Sequence, residues 1–237
     1  MAKWDDQIRT FHKVSGILTE HSLASDINPP KIERCGGGVI RLASSPRNSF
    51  TTHVLYGTLR ERVHLEESGS FSIKLIDDAL LQFMWEYRAN SIIKHRYAYL
   101  PSPIGAATSA DEDLLTLGER MGSIVDEIAD HLCLGGAFRV DFDVNAETAN
   151  HPACHLTLFG PGLEEGRLPI KGPWCLERFL HFLFGTIAPP ICIKDGRRII
   201  DFQTRDRILS KLSISDATRT IRPVCLQGPW LAWGNAG

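Results

Sequence analysis

Residues 138–144, Phe-Arg-Val-Asp-Phe-Asp-Val, alternate apolar and charged side chains without interruption. A strand has a side-chain period of two, so this pattern demands a strand with one apolar and one polar face. It predicts Phe138, Val140, Phe142 and Val144 in a core, with Arg139, Asp141 and Asp143 on the opposite side. A one-residue slip would exchange the two faces, so the register is strongly specified. A second alternating segment, Cys154–Phe159, puts Cys154, Leu156 and Leu158 on one side and His155 and Thr157 on the other. If the two segments pair as a hairpin, His155 joins the aspartates on one polar face.

The surrounding sequence predicts more strands of the same kind. Thr52–Leu59, Phe71–Ile76, Leu80–Arg88 and Ile92–Leu100 are rich in β-branched and aromatic residues and separated by short polar breaks. Connections this short favour an antiparallel meander over helical crossovers. Phe83, Trp85 and Tyr87 alternate with Gln82, Glu86 and Arg88, and His95, Tyr97 and Tyr99 share one side. Val39–Leu42 reads as a further strand after the turn Gly36-Gly37-Gly38, which lacks the Gly-Lys-Ser/Thr of a phosphate loop.

Three segments carry helical periodicity. Trp4, Ile8, Phe11, Val14 and Leu18 predict a first helix over 4–26, ended by Asn28-Pro29-Pro30. Ser109 and Glu112 form a capping box ahead of the apolar stripe Leu114 to Leu132. A short helix is predicted from Pro173 to Gly185. Together these give an α+β fold, a curved and mainly antiparallel sheet of six or more strands with helices packed on one side.

No stretch of the 237 residues reads as a linker, so the chain is expected to be a single domain. Its parts are the first helix, the sheet and helices over 39–190, and a basic segment 194–222 leading to a tail with Trp230 and Trp233. The basic segment holds eight Lys and Arg against four Asp, a local charge of +4 in a chain of net −2. Such a segment suits nucleic acid, a nucleotide or an acidic protein partner, although interleaved acids are equally what a salt-bridged surface shows. The longest apolar stretch, Phe179–Ile187, is too short to span a membrane, and the N-terminus has no signal-peptide pattern. Six scattered cysteines without a C-x-x-C pair are expected to be buried free thiols, and a cytoplasmic location follows.

The polar hairpin face is the candidate site. Two aspartates at alternate strand positions lie roughly 6–7 Å apart and can converge on one cation or water. Asp141, Asp143 and His155 are therefore candidate ligands of a divalent metal, with His155 also a candidate general base. His151 sits at the turn end of the unit. Arg139 and Arg167 are candidates for neutralising a phosphate or carboxylate. The same residues also fit a solvated strand face with cross-strand ion pairs of about 0.2–1 kcal/mol each.

The ordered residues Arg139-x-Asp141-x-Asp143, His151-Pro152-x-x-His155-Leu156, Arg167-Leu168-Pro169-Ile170, and Pro173 followed by Phe179 resemble a bacterial family known as domain of unknown function 2290. The stretch from Asp77 to Pro103, with His95-Arg96 and Leu100-Pro101-Ser102-Pro103, resembles that family's central part, so the likeness spans roughly 51–188. The family implies no activity. Locally, an arginine–aspartate strand followed by a histidine hairpin also resembles small bacterial toxin-like proteins, which implies a defence or toxin–antitoxin setting. The expectation is a metal-dependent hydrolase or nuclease-like effector acting on a phosphate-containing substrate. The alternative is a non-catalytic subunit that binds and regulates a protein partner through residues 194–237.

Overall fold

The computed structural model of the chain describes residues 3–44, 57–102, 134–148, 151–159, 167–187 and 202–212. The expected helix 109–132, the loop Gly160-Pro161-Gly162, most of the expected strand 52–59 and the tail with Trp230 and Trp233 lie outside them.

The described residues build the expected α+β architecture around one open sheet of nine strands, every pairing antiparallel. The strands are β1 (Ala24–Ile27), β2 (Lys31–Arg34), β3 (Val39–Ala43), β4 (Ile73–Leu75), β5 (Leu80–Arg88), β6 (Ser91–Leu100), β7 (Phe138–Asp143), β8 (Cys154–Leu158) and β9 (Arg167–Pro169). They run in the order β1-β4-β5-β6-β7-β8-β9. The long β5 is flanked on one edge by β4 at Leu80 and Leu81 and by β3 from Met84 to Arg88. Its hairpin with β6 turns at Ala89 and Asn90, both at positive φ, the backbone a two-residue turn needs to match strand twist.

One face of the sheet is aromatic. Phe83, Trp85, Tyr97 and Phe138 are buried there against Phe179. Phe83 meets Tyr97 and Phe179 edge-to-face at 5.9 Å, an arrangement that adds about 0.5–1.5 kcal/mol per pair beyond area burial. Within this layer Trp85 Nε1 donates to the Tyr97 hydroxyl at 2.7 Å.

Helix α1 (Lys3–Glu20) lays Phe11, Val14 and Leu18 on that face. The expected extension to residue 26 does not occur. Ser22 adopts φ 55°, and the Leu23 amide donates back to the Leu18 carbonyl, which closes the helix and frees Ala24–Ile27 to pair with β4. Helix α3 (Leu176–Phe182) continues into a π turn over Leu183–Ile187. It starts after Cys175, so Pro173 precedes the helix instead of opening it. Helix α4 (Phe202–Lys211) adds Ile208 to the same core, with Leu212 just beyond its end.

Helix α2 (Leu59–Glu67) departs from the expectation that helices cover one side. It occupies residues read as the end of a strand and a polar break, and a capping box between Thr58 and Glu61 starts it. Its Leu59 and Leu65 pack with Leu80, Ala98, Leu100 and Phe159 in a second cluster on the other face. Of the described cysteines only Cys154 is fully buried, while Cys35 and Cys175 are half-buried. No helix among the described residues is long and apolar enough to cross a membrane.

Gly57, just before α2, joins the second cluster to the hairpin. It holds φ +66°, and a Cβ there would lie 2.6 Å from Phe159 Cγ. Gly69 has a similar φ but open space around it. Gly57→Ala is therefore expected to cost about 1–3 kcal/mol more than Gly69→Ala, because only the former adds overpacking to backbone strain. Equal losses in urea denaturation would show that Phe159 does not press on this turn.

Candidate functional site

The β7–β8 hairpin forms as the alternation requires. Asp141 stands directly opposite His155, and Arg139 opposite Thr157. Because cross-strand partners share a face, the neighbouring strands extend this into rows. One row runs Arg96, Asp141, His155, and a second runs Ala98, Arg139, Thr157, Arg167. A third pairs Glu86 with Lys94 and Lys94 with Asp143. β7 stops at Asp143, so Val144 lies past the strand and is exposed instead of joining the core.

This polar face is not a solvated surface. Arg139, Asp141, His155 and Thr157 are all buried. Asp141 spends both oxygens on arginines: Arg96 Nε donates to Oδ1 at 2.7 Å, and Arg139 Nε donates to Oδ2. Burial by itself raises the Asp141 pKa, but the two guanidinium groups outweigh it and hold the carboxyl below its ordinary value. Burial lowers the pKa of Arg139, and Asp141 only partly offsets this.

His155 is wedged between acceptors. Its Nδ1 lies 3.2 Å from the Pro152 carbonyl, an oxygen that can only accept, so the neutral ring carries its proton on Nδ1. Nε2 then presents a lone pair 3.5 Å from Asp141 Oδ2. Burial, the largest influence, lowers the His155 pKa; Asp141 and the Pro152 carbonyl resist, while His151 and Arg139 add to the depression. Burial thus favours the neutral ring, and the contact with Asp141 becomes an ion pair once Nε2 takes a proton. His151 abuts it edge-to-face, with ring centroids 4.9 Å apart.

Of the expected site residues, Arg139, Asp141, His151 and His155 come together, and Arg167 reaches the same face through Thr157. Asp143 does not join them. Its Oδ2 pairs with Lys94 at 2.9 Å and its Oδ1 accepts from the Asn145 amide at 3.0 Å. Among the described residues no three His, Cys, Asp or Glu are grouped to hold a metal. The expected Asp141–Asp143–His155 metal triad is therefore not assembled: one carboxylate serves two arginines and the other serves a lysine.

Arg96 and Thr157 are the members that sequence reasoning passed over. Arg96 alternates with His95, Tyr97 and Tyr99 on β6 and so takes the face opposite theirs, and that alternation was the available signal. Thr157 is buried with its hydroxyl unpartnered. The basic C-terminal segment contributes its described part as core-packed α4. Here Lys211 bonds Glu20 at 2.5 Å and Arg205 bonds Asp206.

A family model described as "Uncharacterized conserved protein (DUF2290)" matches residues 23–187, which hold the whole sheet and the hairpin. The chain belongs to this family. The match begins earlier than the resemblance over 51–188, taking in β1 to β3. No curated protein and no solved structure matches significantly. Helices α1 and α4 lie outside the DUF2290 segment yet share its aromatic core.

Removing Asp141 leaves two guanidinium groups without their buried counter-charge. Asp141→Ala is expected to cost about 3–5 kcal/mol in chemical denaturation, the range for breaking a buried ion pair from one side. A change below ~1 kcal/mol would show the arginines to be adequately solvated without it.

On the other face, His95 is fully buried, with both ring nitrogens unpartnered, and stacks on Tyr97 at 4.5 Å. Burial pushes its pKa down to about 3, against a smaller opposing pull from Asp141. A base whose folded pKa is depressed contributes full stability above its unfolded value, and that stability is lost as pH falls from there toward the folded value. The window here runs from about 6.5 down toward 3. Between pH 7.5 and pH 5 the chain is expected to lose about 2 kcal/mol through His95. His95→Phe should reduce the loss by that amount. Identical pH dependence in both proteins would mean that His95 is not held neutral.

Proposed function

We propose that this DUF2290 chain is a hydrolase acting on phosphate esters, of the nuclease or nucleotide-cleaving class, using its own side chains as proton carrier and charge neutraliser. The observation that carries this reading is the commitment of Asp141 to Arg96 and Arg139 directly opposite His155. Among the described residues, Arg96 and Arg139 bond the one carboxylate of Asp141, Arg167 stands in the next row, and the charge of Glu61 also reaches Arg139. The fixed charge of the cluster thus favours an anionic substrate over a metal cation.

In this reading Nε2 of neutral His155 takes the proton of an attacking water or ribose hydroxyl. The attacking oxygen bonds to phosphorus, and the bond to the leaving oxygen breaks. Asp141 Oδ2 stabilises the imidazolium formed, and the leaving oxygen takes its proton from solvent or His151. Arg139 balances charge on the phosphoryl oxygens. The setting, as the sequence suggested, is a cytoplasmic effector of a defence or toxin–antitoxin system. The second reading, a non-catalytic subunit, draws support from the near-complete burial of Asp141 and His155, which also suits a purely architectural network.

The test is cleavage of fluorescent oligoribonucleotides and an aryl phosphodiester in the presence of a chelator. Turnover is expected to persist with chelator and to fall by about 10²–10⁴ in His155→Gln. The acid limb of the pH–rate profile should be shifted to lower pH than an ordinary histidine gives, in the direction burial moves His155. Absence of turnover on every ester, or wild-type rates in His155→Gln, would favour the non-catalytic subunit.

A further inference from the structure

We propose that Thr157, between Arg139 and Arg167, is the anchoring hydroxyl of a cradle for a tetrahedral oxyanion, the phosphoryl group of the substrate class inferred above, on which this proposal rests. Thr157 sits on the central strand of three, with Arg139 as its cross-strand partner on β7 and Arg167 on β9. All three side chains rise from the same face. Thr157 is 4% exposed, and its Oγ1 has no hydrogen-bond partner. A buried hydroxyl left unpaired is destabilising, so Thr157, flanked in register by Arg139 and Arg167, holds an unmet need for an oxygen ligand.

An anion meets that need. One of its oxygens accepts from the Thr157 O–H, and its charge is balanced by guanidinium groups on both sides, whose planar donor forks match phosphate geometry. Arg139 is held in place by its Nε bond to Asp141 and lies over the Phe159 ring at 5.7 Å. Arg167 is half-buried on β9, the last strand in the order among the described residues. His155 is two residues from Thr157 on the same face, roughly 6–7 Å along the strand. That places the proton carrier one row from the bound phosphoryl group.

The experiment is calorimetric titration of the full chain with inorganic phosphate at matched ionic strength, on wild type, Thr157→Val and Thr157→Ser. Thr157→Val keeps the shape and removes the hydroxyl. It is expected to weaken phosphate binding about tenfold or more, while the melting temperature of the unliganded protein stays level or rises. Thr157→Ser is expected to retain most of the affinity. A fall in the unliganded melting temperature of Thr157→Val would overturn the proposal, because the hydroxyl would then be structural. No phosphate binding by wild type, or binding indifferent to Thr157→Val, would overturn it as well. Thr157-dependent binding without turnover of any ester keeps the cradle and removes the hydrolase. Turnover with Thr157-independent binding does the reverse.

Discussion

Asp141 is a single carboxylate to which three strands of the sheet are referred. Arg96 reaches it from β6, Arg139 from its own strand β7, and His155 faces it from β8. Taking these charges out of water is costly, and the mutual attraction offsets that cost only where geometry and hydrogen bonding are good. The consequence is specificity more than stability. A one-residue slip of β7 would turn Asp141 onto the aromatic face beside Tyr97 and break its bond with Arg96. The polar rows on one face and the apolar rows on the other enforce the same register.

The aromatic face gives this network a rigid support. Phe138 and Val140 alternate with Arg139 and Asp141 along β7, so the strand that carries the arginine–aspartate pair is pinned beneath by Phe179 and by Tyr99. Densely packed interiors transmit small displacements instead of absorbing them. The position of the Arg139 guanidinium therefore depends on how α3 seats Phe179. It depends equally on α1 and α4, which press on the same core from outside the DUF2290 segment. A functional unit cut at the family boundaries would expose Phe138's neighbours to water on the side opposite the site.

Much of this was legible in the sequence, for definable reasons. β7 and β8 follow from an uninterrupted period of two, and β5 from aromatic residues alternating with polar ones. The failures are local as well. α1 ends at Ser22 in a left-handed conformation usually marked by glycine, so nothing in the sequence announced the stop. The β5–β6 turn is Ala89-Asn90, without the Asn-Gly signal. The Thr58–Glu61 capping box was present but lay inside a segment whose β-branched residues argued for a strand. Burial of the polar face was beyond sequence reasoning altogether. Period two separates two faces without saying whether the second is wet, and Arg96 approaches Asp141 from 45 residues away.

That last point decides how the paired aspartates are understood. Two carboxylates on alternate strand positions look like a metal site so long as both are free to bind. Here Asp141 is paired with Arg96 and Arg139 and Asp143 with Lys94, and the two guanidinium groups hold the Asp141 carboxyl below its ordinary pKa. What the network leaves chemically open is the set of groups the carboxylate positions: a neutral imidazole with its lone pair beside an anion, and an unpaired hydroxyl between arginines. The Thr157 hydroxyl is an incomplete hydrogen-bonding group in a buried setting, where electrostatic interactions are strongest. In such a setting a ligand bearing negative oxygens gains more than it would at an open surface. Under the proposed function, the carboxylate would act through the groups it positions instead of binding the substrate itself.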